Sequence, residues 1–345
     1  MIVVTGASGF IGSNVVAALN RRGCSAVVAV DEYPELRSCD TGPAMPGMRY
    51  LADRQLVGAL DLHNLPGWLQ RRGQEVDAVI HLGACSDTTA TDRDYVMSRN
   101  FEFTRVLWQW CTDHACPLIY ASSAATYGDG ARGYDDRADP RDYRPLNLYG
   151  ESKQRFDLWA LAQPNGPPRW AGLKYFNVYG PHESHKGRMA SVVFHAFHQI
   201  RSTGHVRLFR SHRTGIPDGG QRRDFVYVAD AVDATLHLLD TPASTAAPNG
   251  LYNVGTGQAR TFQDLACAVF TALGQEPRIL YVPMPEDLRD RYQYWTQATV
   301  SKLVRAGFGR SFCTIEEGVC HYVRGHLLPT ANQILGAPRS GNAAA

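Results

Sequence analysis

The sequence lacks the long apolar run that a membrane helix requires. We find no segment near the roughly 20 apolar residues that such a helix needs. Residues 1–5 (MIVVT) are typical of a β-strand and do not show the basic, apolar and small-residue regions of a signal peptide. These absences predict a cytoplasmic protein with no membrane partner.

The cysteines and histidines also lack the spacing of a metal site. None of the eight cysteines forms a C-x-x-C pair, and the two nearest, Cys111 and Cys116, are five positions apart. The twelve histidines include no H-E-x-x-H motif. Without a secretory signal, free buried thiols are favoured over disulfides or zinc ligands. We therefore expect no bound metal.

The chain has little excess charge of either sign. A formal net charge of +2 gives no basis for nucleic-acid binding. With 44% hydrophobic and 20% charged residues, the composition is that of a globular protein. A chain of 345 residues can form one large or two modest domains, each with a buried core.

Short β-rich runs alternate with amphipathic segments through the first half, which predicts βαβ units and a parallel sheet. The expected strands are residues 2–5, 26–30, 76–81, 117–122 and 170–176, and the expected helices are 13–22, 92–114 and one carrying Tyr149. After residue 177 the rhythm breaks, with further elements expected at 230–240, 250–253 and 261–273. We predict an α/β protein with a first domain over 1–176, a smaller mixed α/β substrate lobe over 177–330 with segments that return to the first domain, and a flexible tail over 331–345.

A glycine-rich turn follows the first strand and opens a helix. Gly6, Gly9 and Gly12 have G-x-x-G-x-x-G spacing, and small residues at such a turn let the backbone approach a pyrophosphate at a helix N-terminus. Asp31 ends the second strand, where an acid accepts hydrogen bonds from an adenine ribose and favours NAD. Arg37 and Arg54 could instead bind the 2′-phosphate of NADP. The turn predicts a dinucleotide site, with the cofactor's form left open.

Tyr149 and Lys153 are spaced to share one face of a helix. A cation beside a phenol favours phenolate and is expected to lower the pKa of Tyr149. Such a tyrosine can take a proton from a substrate alcohol while hydride leaves the same carbon. An isolated Tyr-x-x-x-Lys is more often an exposed helix pair, but here it accompanies the glycine turn and an upstream serine.

These motifs together resemble the extended short-chain dehydrogenase/reductase family. The resemblance covers nearly the whole chain and rests on the glycine turn, Tyr149 with Lys153, and the segments 81–84 (HLGA), 122–128 (SSAATYG), 175–181 (YFNVYGP) and 223–228 (RDFVYV). It implies a Rossmann fold, a doubly wound parallel sheet, with a bound nicotinamide cofactor and a nucleotide-sugar substrate.

A narrower set of motifs is similar to the branch of that family that epimerises ADP-heptoses. The set comprises residues 83–86 (GACS), 122–128, 185–192 (HKGRMASV) and 291–293 (RYQ). The resemblance implies inversion at C6 of ADP-glycero-manno-heptose, a lipopolysaccharide core precursor. It also implies tightly held NADP, although Asp31 keeps NAD possible, and a homopentamer.

The chemistry of inversion at an exocyclic carbon gives Lys186 a hypothetical role. Removing hydride from C6 yields an aldehyde, which can rotate about its C5–C6 bond and be reduced on its other face. Its oxygen then points away from the first acid/base, so that a second one is useful. The hypothesis is that Tyr149 and Lys186 serve the two orientations, Lys153 tunes Tyr149, and Ser123 hydrogen-bonds the reacting oxygen. A substrate-phosphate or surface lysine is the alternative for Lys186.

The resemblance also supplies the remaining contacts. The implied cofactor-binding residues are Gly6, Gly9, Phe10, Ile11, Gly12, Asp31, Glu32, Leu82, Gly83, Ala84, Cys85, Ser86, Asn100, Lys153, Val178 and Lys186. The implied substrate-binding residues are Ser123, Asn177, Arg188, His195, Phe209, Arg223 and Tyr292. The alternative for Asn100 is a capping or packing role without cofactor contact. The alternative for His195 is a partly buried position in a helix.

The sequence departs from the family pattern at three places and leaves two rival functions. Leu82 stands where an acid is usual, Arg188 stands where a small serine is usual, and residues 211–221 form a lengthened segment. A 4,6-dehydratase should carry Asp-Glu after the catalytic hydroxyl residue, but Ala124 and Ala125 follow Ser123. A 4-epimerase of the same family, or a cofactor-binding sensor without turnover, remains as an alternative.

Overall fold

The described part of the chain contains twelve strands and twelve α-helices. The computed structural model describes residues 1–36, 48–289 and 292–336. The strands are β1 (Ile2–Thr5), β2 (Val27–Asp31), β3 (Gly58–Asp61), β4 (Ala78–His81), β5 (Leu118–Ser123), β6 (Trp170–Tyr175), β7 (Asn177–Tyr179), β8 (Val206–Phe209), β9 (Arg222–Tyr227), β10 (Gly250–Val254), β11 (Ala259–Thr261) and β12 (Ile279–Val282).

The helices alternate with these strands through the first half and cluster in the second. They are α1 (Phe10–Arg21), α2 (Leu65–Arg72), α3 (Arg93–Met97), α4 (Phe103–Asp113), α5 (Leu148–Leu161), α6 (Val192–Thr203), α7 (Val228–Asp240), α8 (Phe262–Leu273), α9 (Glu286–Arg289), α10 (Ser301–Arg305), α11 (Ile315–Tyr322) and α12 (Leu328–Gly336). No helix in the described ranges is both long enough and apolar enough to cross a membrane.

Seven parallel strands form the central sheet in the order β10-β6-β5-β4-β1-β2-β3. In β1, Ile2 is in register with Val27 of β2 on one side and with Ala78 of β4 on the other. The chain therefore winds outward in both directions from β1, and the predicted doubly wound α/β fold is confirmed. In such sheets ligands bind outside the carboxyl ends of the strands at the point where the winding reverses.

Strand β3 was missed by the sequence analysis, and β10 joins the sheet from far along the chain. The β3 segment has neither alternation nor β-branched residues, although all four of its positions are buried. Only pairing with β2, with Val28 opposite Gly58, makes it a strand. Strand β10 pairs along the whole of its length with β6, with Gly250 opposite Ala171.

The long helix predicted over 92–114 is present as a continuous helical run over 93–113 that contains one π-helical turn. A π-helical turn, Ser98–Glu102, separates α3 from α4, and it contains Asn100. π-Helical turns inside helices are frequent at functional sites.

Helix α1 begins at Phe10, about three residues before the predicted start, because the glycine turn leads directly into it.

The lobe beside the sheet consists of two small sheets and the helices packed on them. One has the order β11-β9-β7, and the other pairs β12 with β8. A continuous apolar core joins this lobe to the Rossmann sheet, because Val228 and Phe197 of the lobe belong to the same buried cluster as Val4 and Val16. Residues 331–336 of the expected tail are the end of α12, and residues 337–345 lie outside the described part.

A buried ion pair joins α5 to the sheet. The Lys174 ammonium on β6 lies 2.8 Å from Asp157 of α5 and donates to the Thr126 hydroxyl at 2.6 Å. Asp157 also accepts hydrogen bonds from the hydroxyls of Tyr120 and Ser122 on β5. Each charge is thus paired and hydrogen-bonded away from water, which fixes α5 against β5 and β6.

Lys174→Met is expected to lower the free energy of unfolding by about 3–5 kcal/mol, because it leaves the Asp157 carboxylate buried without its cation. Urea denaturation measures this change. Adding Asp157→Asn should recover part of the loss, since the second charge is then also removed. Arg141→Met, at an exposed ion pair with Asp139, is the control and should leave stability nearly unchanged. Equal effects of Lys174→Met and Arg141→Met would contradict this reading.

Candidate functional site

The glycine turn packs directly against the neighbouring β4 loop at the sheet's winding reversal. Gly6 has φ +67°, and a Cβ there would lie 2.6 Å from the backbone nitrogen of Gly83. A Cβ at Gly12 would lie 2.0 Å from the carbonyl oxygen of Gly6. No larger side chain fits at either position without opening the turn. The turn thus leaves backbone and the α1 N-terminus facing the crevice, which fits a pyrophosphate.

A cavity of about 360 Å³, here the central cavity, opens at the carboxyl ends of the strands. It brings together the turn, the β4 and β5 ends and the Tyr149 helix. The sequence-predicted residues that line it are Gly6, Gly9, Phe10, Ile11, Gly12, Asp31, Leu82, Gly83, Ala84, Ser86, Ser123, Tyr149, Lys153, Val178 and Lys186. Segments more than 170 residues apart in the sequence therefore meet around one space.

A smaller cavity of about 260 Å³, the edge cavity, adjoins it beyond Asp31. The Asp31 carboxylate accepts from the backbone N–H groups of Ser8 and Glu32, and burial raises its pKa above the ordinary value. Glu32 forms an ion pair of 2.6 Å with Arg99, and both side chains line the cavity, as does Cys85. Three of the predicted cofactor-binding residues, Asp31, Glu32 and Cys85, thus line this cavity.

Arg99 is a candidate that the sequence analysis missed. Its guanidinium reaches the edge cavity from the π-helical turn, which no sequence periodicity indicated. Of the two arginines first considered for a cofactor phosphate, Arg37 lies outside the described residues. Arg54 lines neither the edge nor the central cavity.

Tyr149 and Lys153 lie on the first turns of α5, whose start is capped by the Asn147 side chain. The Lys153 ammonium is 5.9 Å from the centre of the Tyr149 ring. Burial lowers the pKa of Lys153 to about 8. The expectation of a lowered tyrosine pKa is wrong for the protein alone. Burial raises the pKa of Tyr149, and the nearby Ser123 side chain only partly offsets this rise.

Lys186 lies at the boundary between two cavities. It lines the central cavity and also a third one of about 500 Å³, here the lobe cavity. Its ammonium is 5.2 Å from the centre of the Phe10 ring at the start of α1. Burial lowers the pKa of Lys186, and the nearby Glu183 carboxylate acts in the opposite direction. Lys186 therefore borders both spaces.

The lobe cavity contains most of the predicted substrate-side residues. Asn177, Phe209, Arg223 and Tyr292 line it together with Val178 and Lys186. Arg223 is buried, and its guanidinium lies 5.1 Å from the Tyr292 ring centre and 5.6 Å from that of Phe262. Its guanidinium donates to the Arg222 carbonyl at 2.9 Å, and no carboxylate among the described residues forms an ion pair with it.

Two predicted substrate residues lie elsewhere. Arg188 is exposed and turns to Thr89 and Asp87, to which it hydrogen-bonds and ion-pairs. Gly187, between Lys186 and Arg188, has φ +52° and interrupts the helical backbone there. His195 is half-buried in α6 against Phe194 and does not line the lobe cavity.

Asn100 also differs from its predicted place. Its side chain accepts from the Cys85 N–H at 2.8 Å and donates to the Cys85 carbonyl and to the Ser152 hydroxyl, each at 2.9 Å. Two of these bonds hold the β4 loop and the third reaches α5, and Asn100 lines neither the central nor the edge cavity. The structure therefore favours the packing role that the sequence left open.

His185 is a second residue that the sequence analysis did not place in the site. It lines the central cavity beside Lys186, and burial lowers its pKa below the ordinary value. Its adjacency to Lys186 in the segment 185–192 was the available indication. Within the described ranges, no three His, Cys, Asp or Glu side chains are grouped to hold a metal ion.

Comparisons with known proteins agree with this geometry. Residues 2–255 match the NAD dependent epimerase/dehydratase family. The chain is similar to the ADP-L-glycero-D-manno-heptose-6-epimerases of Fusobacterium nucleatum subsp. nucleatum, at 44% identity over 95% of this chain and 98% of the relative, and of Nitratidesulfovibrio vulgaris, at 46% identity with the same coverage. Its structure is similar to that of the Helicobacter pylori ADP-L-glycero-D-manno-heptose-6-epimerase, with 28% identity, a TM-score of 0.75, and coverage of 94% of this chain and 95% of the other.

Gly12→Ala is expected to weaken binding of NAD and NADP about tenfold, because overpacking at the turn costs about 1–3 kcal/mol. Calorimetric titration measures the two dissociation constants. Gly67→Ala is the matched control, since a Cβ there would meet only the Arg71 side chain, at 3.4 Å. Unchanged cofactor affinity in Gly12→Ala would show that the turn does not hold the dinucleotide.

Proposed function

The chain belongs to the NAD dependent epimerase/dehydratase family, and from that premise we propose that it interconverts ADP-D-glycero-β-D-manno-heptose and ADP-L-glycero-β-D-manno-heptose by inversion at C6. The names and the 44–46% identity of its relatives support this substrate. The observation that carries the proposal is the position of Lys186, which lines both the central and the lobe cavity.

The resident cofactor in this proposal is NADP, held in the central and edge cavities. The glycine turn, whose close contacts leave no room for a Cβ at Gly6 or Gly12, would hold its pyrophosphate. When bound, the nicotinamide supplies hydride transfer at substrate C6. Asp31 would accept hydrogen bonds from the adenine ribose, and Arg99 offers the cation that a 2′-phosphate needs.

Tyr149 is proposed as the first acid/base. Ser123 and Tyr149 line the central cavity together, so that both hydroxyls can contact one substrate oxygen. With a pKa of about 8, Lys153 carries a proton at neutral pH. The charge of Lys153 favours the phenolate of Tyr149, whereas burial is the larger effect and raises the pKa of Tyr149 in the protein alone.

Lys186 is proposed as the second acid/base. A substrate oxygen that rotates away from Tyr149 turns toward the opposite wall of the site, where a group is needed to exchange its proton. Burial lowers the pKa of Lys186, which brings the amine nearer to the range in which it can both give and take a proton. The phenol and the amine then serve one oxygen in its two orientations.

The nucleotide part of the substrate is assigned to the lobe cavity. Its two phosphates carry negative charge, and Arg223 presents a buried guanidinium without an acidic partner among the residues that the structure describes around it. A planar guanidinium can bind a diphosphate through two hydrogen bonds. Phe209 and Tyr292 add aromatic surface to the same cavity.

The wider biological setting is also proposed from the resemblance. Inversion of an ADP-heptose supplies a precursor of the lipopolysaccharide core, in a cytoplasmic reaction catalysed by a homopentamer. Native mass spectrometry of the purified protein tests the assembly, and a dominant monomer would contradict it.

Lys186→Ala and Tyr149→Phe are each expected to lower the turnover of both epimers by about 10²–10⁴-fold, because each removes a proton-transfer group. NMR detection of inversion at C6, started from either epimer, measures this. Lys186→Arg is the control for charge, since a guanidinium keeps the charge but does not give up its proton. Undiminished turnover of Lys186→Ala in both directions would remove Lys186 from the mechanism, and turnover of UDP-glucose instead would support a 4-epimerase.

Arg99→Met is expected to raise the Kd for NADP relative to that for NAD by about tenfold, since a hydrogen bond to a charged group contributes about 1.5–3 kcal/mol. Fluorescence titration with both cofactors gives the ratio. Arg93→Met is the matched control, because Arg93 pairs with Glu151 at the surface and lines neither cavity. An unchanged ratio in Arg99→Met would exclude Arg99 as the phosphate contact.

A further inference from the structure

Glu183 is a charged residue with no exposed surface. It lies at the start of the segment 180–191, which links β7 to α6 and carries Lys186 in its middle. A buried carboxylate is costly unless its oxygens are hydrogen-bonded. The hydrogen-bond donors around the Glu183 carboxylate therefore indicate its structural role in this segment.

The Glu183 carboxylate joins the two ends of that segment. One oxygen accepts from the Gly180 N–H at 3.2 Å and from the Ser191 hydroxyl at 2.7 Å. The other oxygen accepts from the Ser191 N–H. The Glu183 carbonyl in turn accepts from the Lys186 N–H at 3.0 Å. One residue thus closes the loop and begins the turn on which Lys186 stands.

Helix α11 supports the same carboxylate from behind. Tyr322 ends this helix, and burial, followed by the charge of the nearby Glu183 carboxylate, raises the pKa of its phenol. Tyr322 is itself buried. Glu183 therefore lies between the loop and the core of the lobe, on the side away from the cavities.

We infer that Glu183 is a positioning residue, which closes the loop 180–191 and so fixes the Lys186 amine at the boundary between the central and lobe cavities. The expected effect on turnover rests on the proposed function. The placement and charge of Lys186 do not depend on that function, and they can be measured without substrate.

The electrostatic consequence has a definite sign. A negative charge near an amine favours its protonated form, and Glu183 raises the pKa of Lys186 against the lowering by burial. Removing that charge must therefore shift the titration of Lys186 to lower pH. The other titratable groups around the amine remain, and they are Asp31, Tyr149, Lys153 and His185 in the central cavity and Arg207, Arg223 and Tyr292 in the lobe cavity.

The test is the pH dependence of reductive methylation of Lys186 in the full chain, followed by mass spectrometry of the peptide that contains it. Only the neutral amine reacts, so Glu183→Gln should move the midpoint to lower pH. The same variant should lose about tenfold or more in epimerase turnover, because small misplacements of a reacting group have large effects on rate. Asp136→Asn is the control, since Asp136 is another buried carboxylate but contacts Asn253 instead.

A merely structural role would give a different result. Glu183→Gln would then lower thermal stability and leave the methylation midpoint of Lys186 where it was, which overturns the inference. If the native protein proves not to epimerise ADP-heptose, the proposed function fails, and the methylation midpoint still decides the role of Glu183. If it does epimerise and the midpoint is unmoved, only this inference fails.

Ser191→Ala provides a second variant in case Glu183→Gln does not fold. It keeps the carboxylate and removes the hydroxyl that donates to it at 2.7 Å. Amide hydrogen exchange of residues 184–189 should become about tenfold faster, because a hydrogen bond to a charged group contributes about 1.5–3 kcal/mol. Unchanged exchange in a folded Ser191→Ala protein would contradict the closure of the loop by this carboxylate.

Discussion

The approach of the glycine turn to the β4 loop is the contact on which the site depends. Gly6 and Gly83 can lie side by side only because neither has a side chain, and Gly12 allows α1 to begin against the same turn. Strand β1 lies between β2 and β4, so this contact sits where the sheet's winding reverses. Backbone groups, instead of side chains, thereby form the floor of the central cavity.

The remaining parts of the site are brought to that floor by elements of different origin. Helix α5 is held to β5 and β6 by the buried Asp157–Lys174 pair, and it presents Tyr149 and Lys153. The opposite wall comes from the loop 180–191, which belongs to the lobe and is closed by Glu183. Two separately supported segments therefore bring Tyr149 and Lys186, the two acid/base groups of the proposed reaction, to the same cavity.

The sequence predicted the parts of the fold and site that depend on local spacing. The glycine turn, the Tyr149–Lys153 pair and most strands of the first half follow from periodicity within a few residues. The sequence did not predict β3, because its four residues become a strand only through pairing with β2. Arg99 was missed for the same reason, since its place at the edge cavity depends on a π-helical turn.

Only some of the substrate-binding residues assigned from the resemblance alone line the lobe cavity. Phe209, Arg223 and Tyr292 do line one cavity. Arg188 does not, because its side chain contacts Thr89 and Asp87 instead. The predicted effect of Lys153 on Tyr149 failed for an energetic reason, since spacing along a helix gives proximity but says nothing of burial. Desolvation is the larger effect on the Tyr149 pKa.

Burial also explains why the site is suited to anions. The pKa values of Lys153, Lys186 and Arg223 are all lowered, in each case chiefly by burial. Burial around the two adjoining cavities makes the protonated forms of these three side chains less stable than they would be in water. The negative charge of a bound diphosphate would stabilise those protonated forms. Binding two phosphorylated ligands would thus favour protonated lysines, and a protonated Lys153 in turn favours the phenolate of Tyr149.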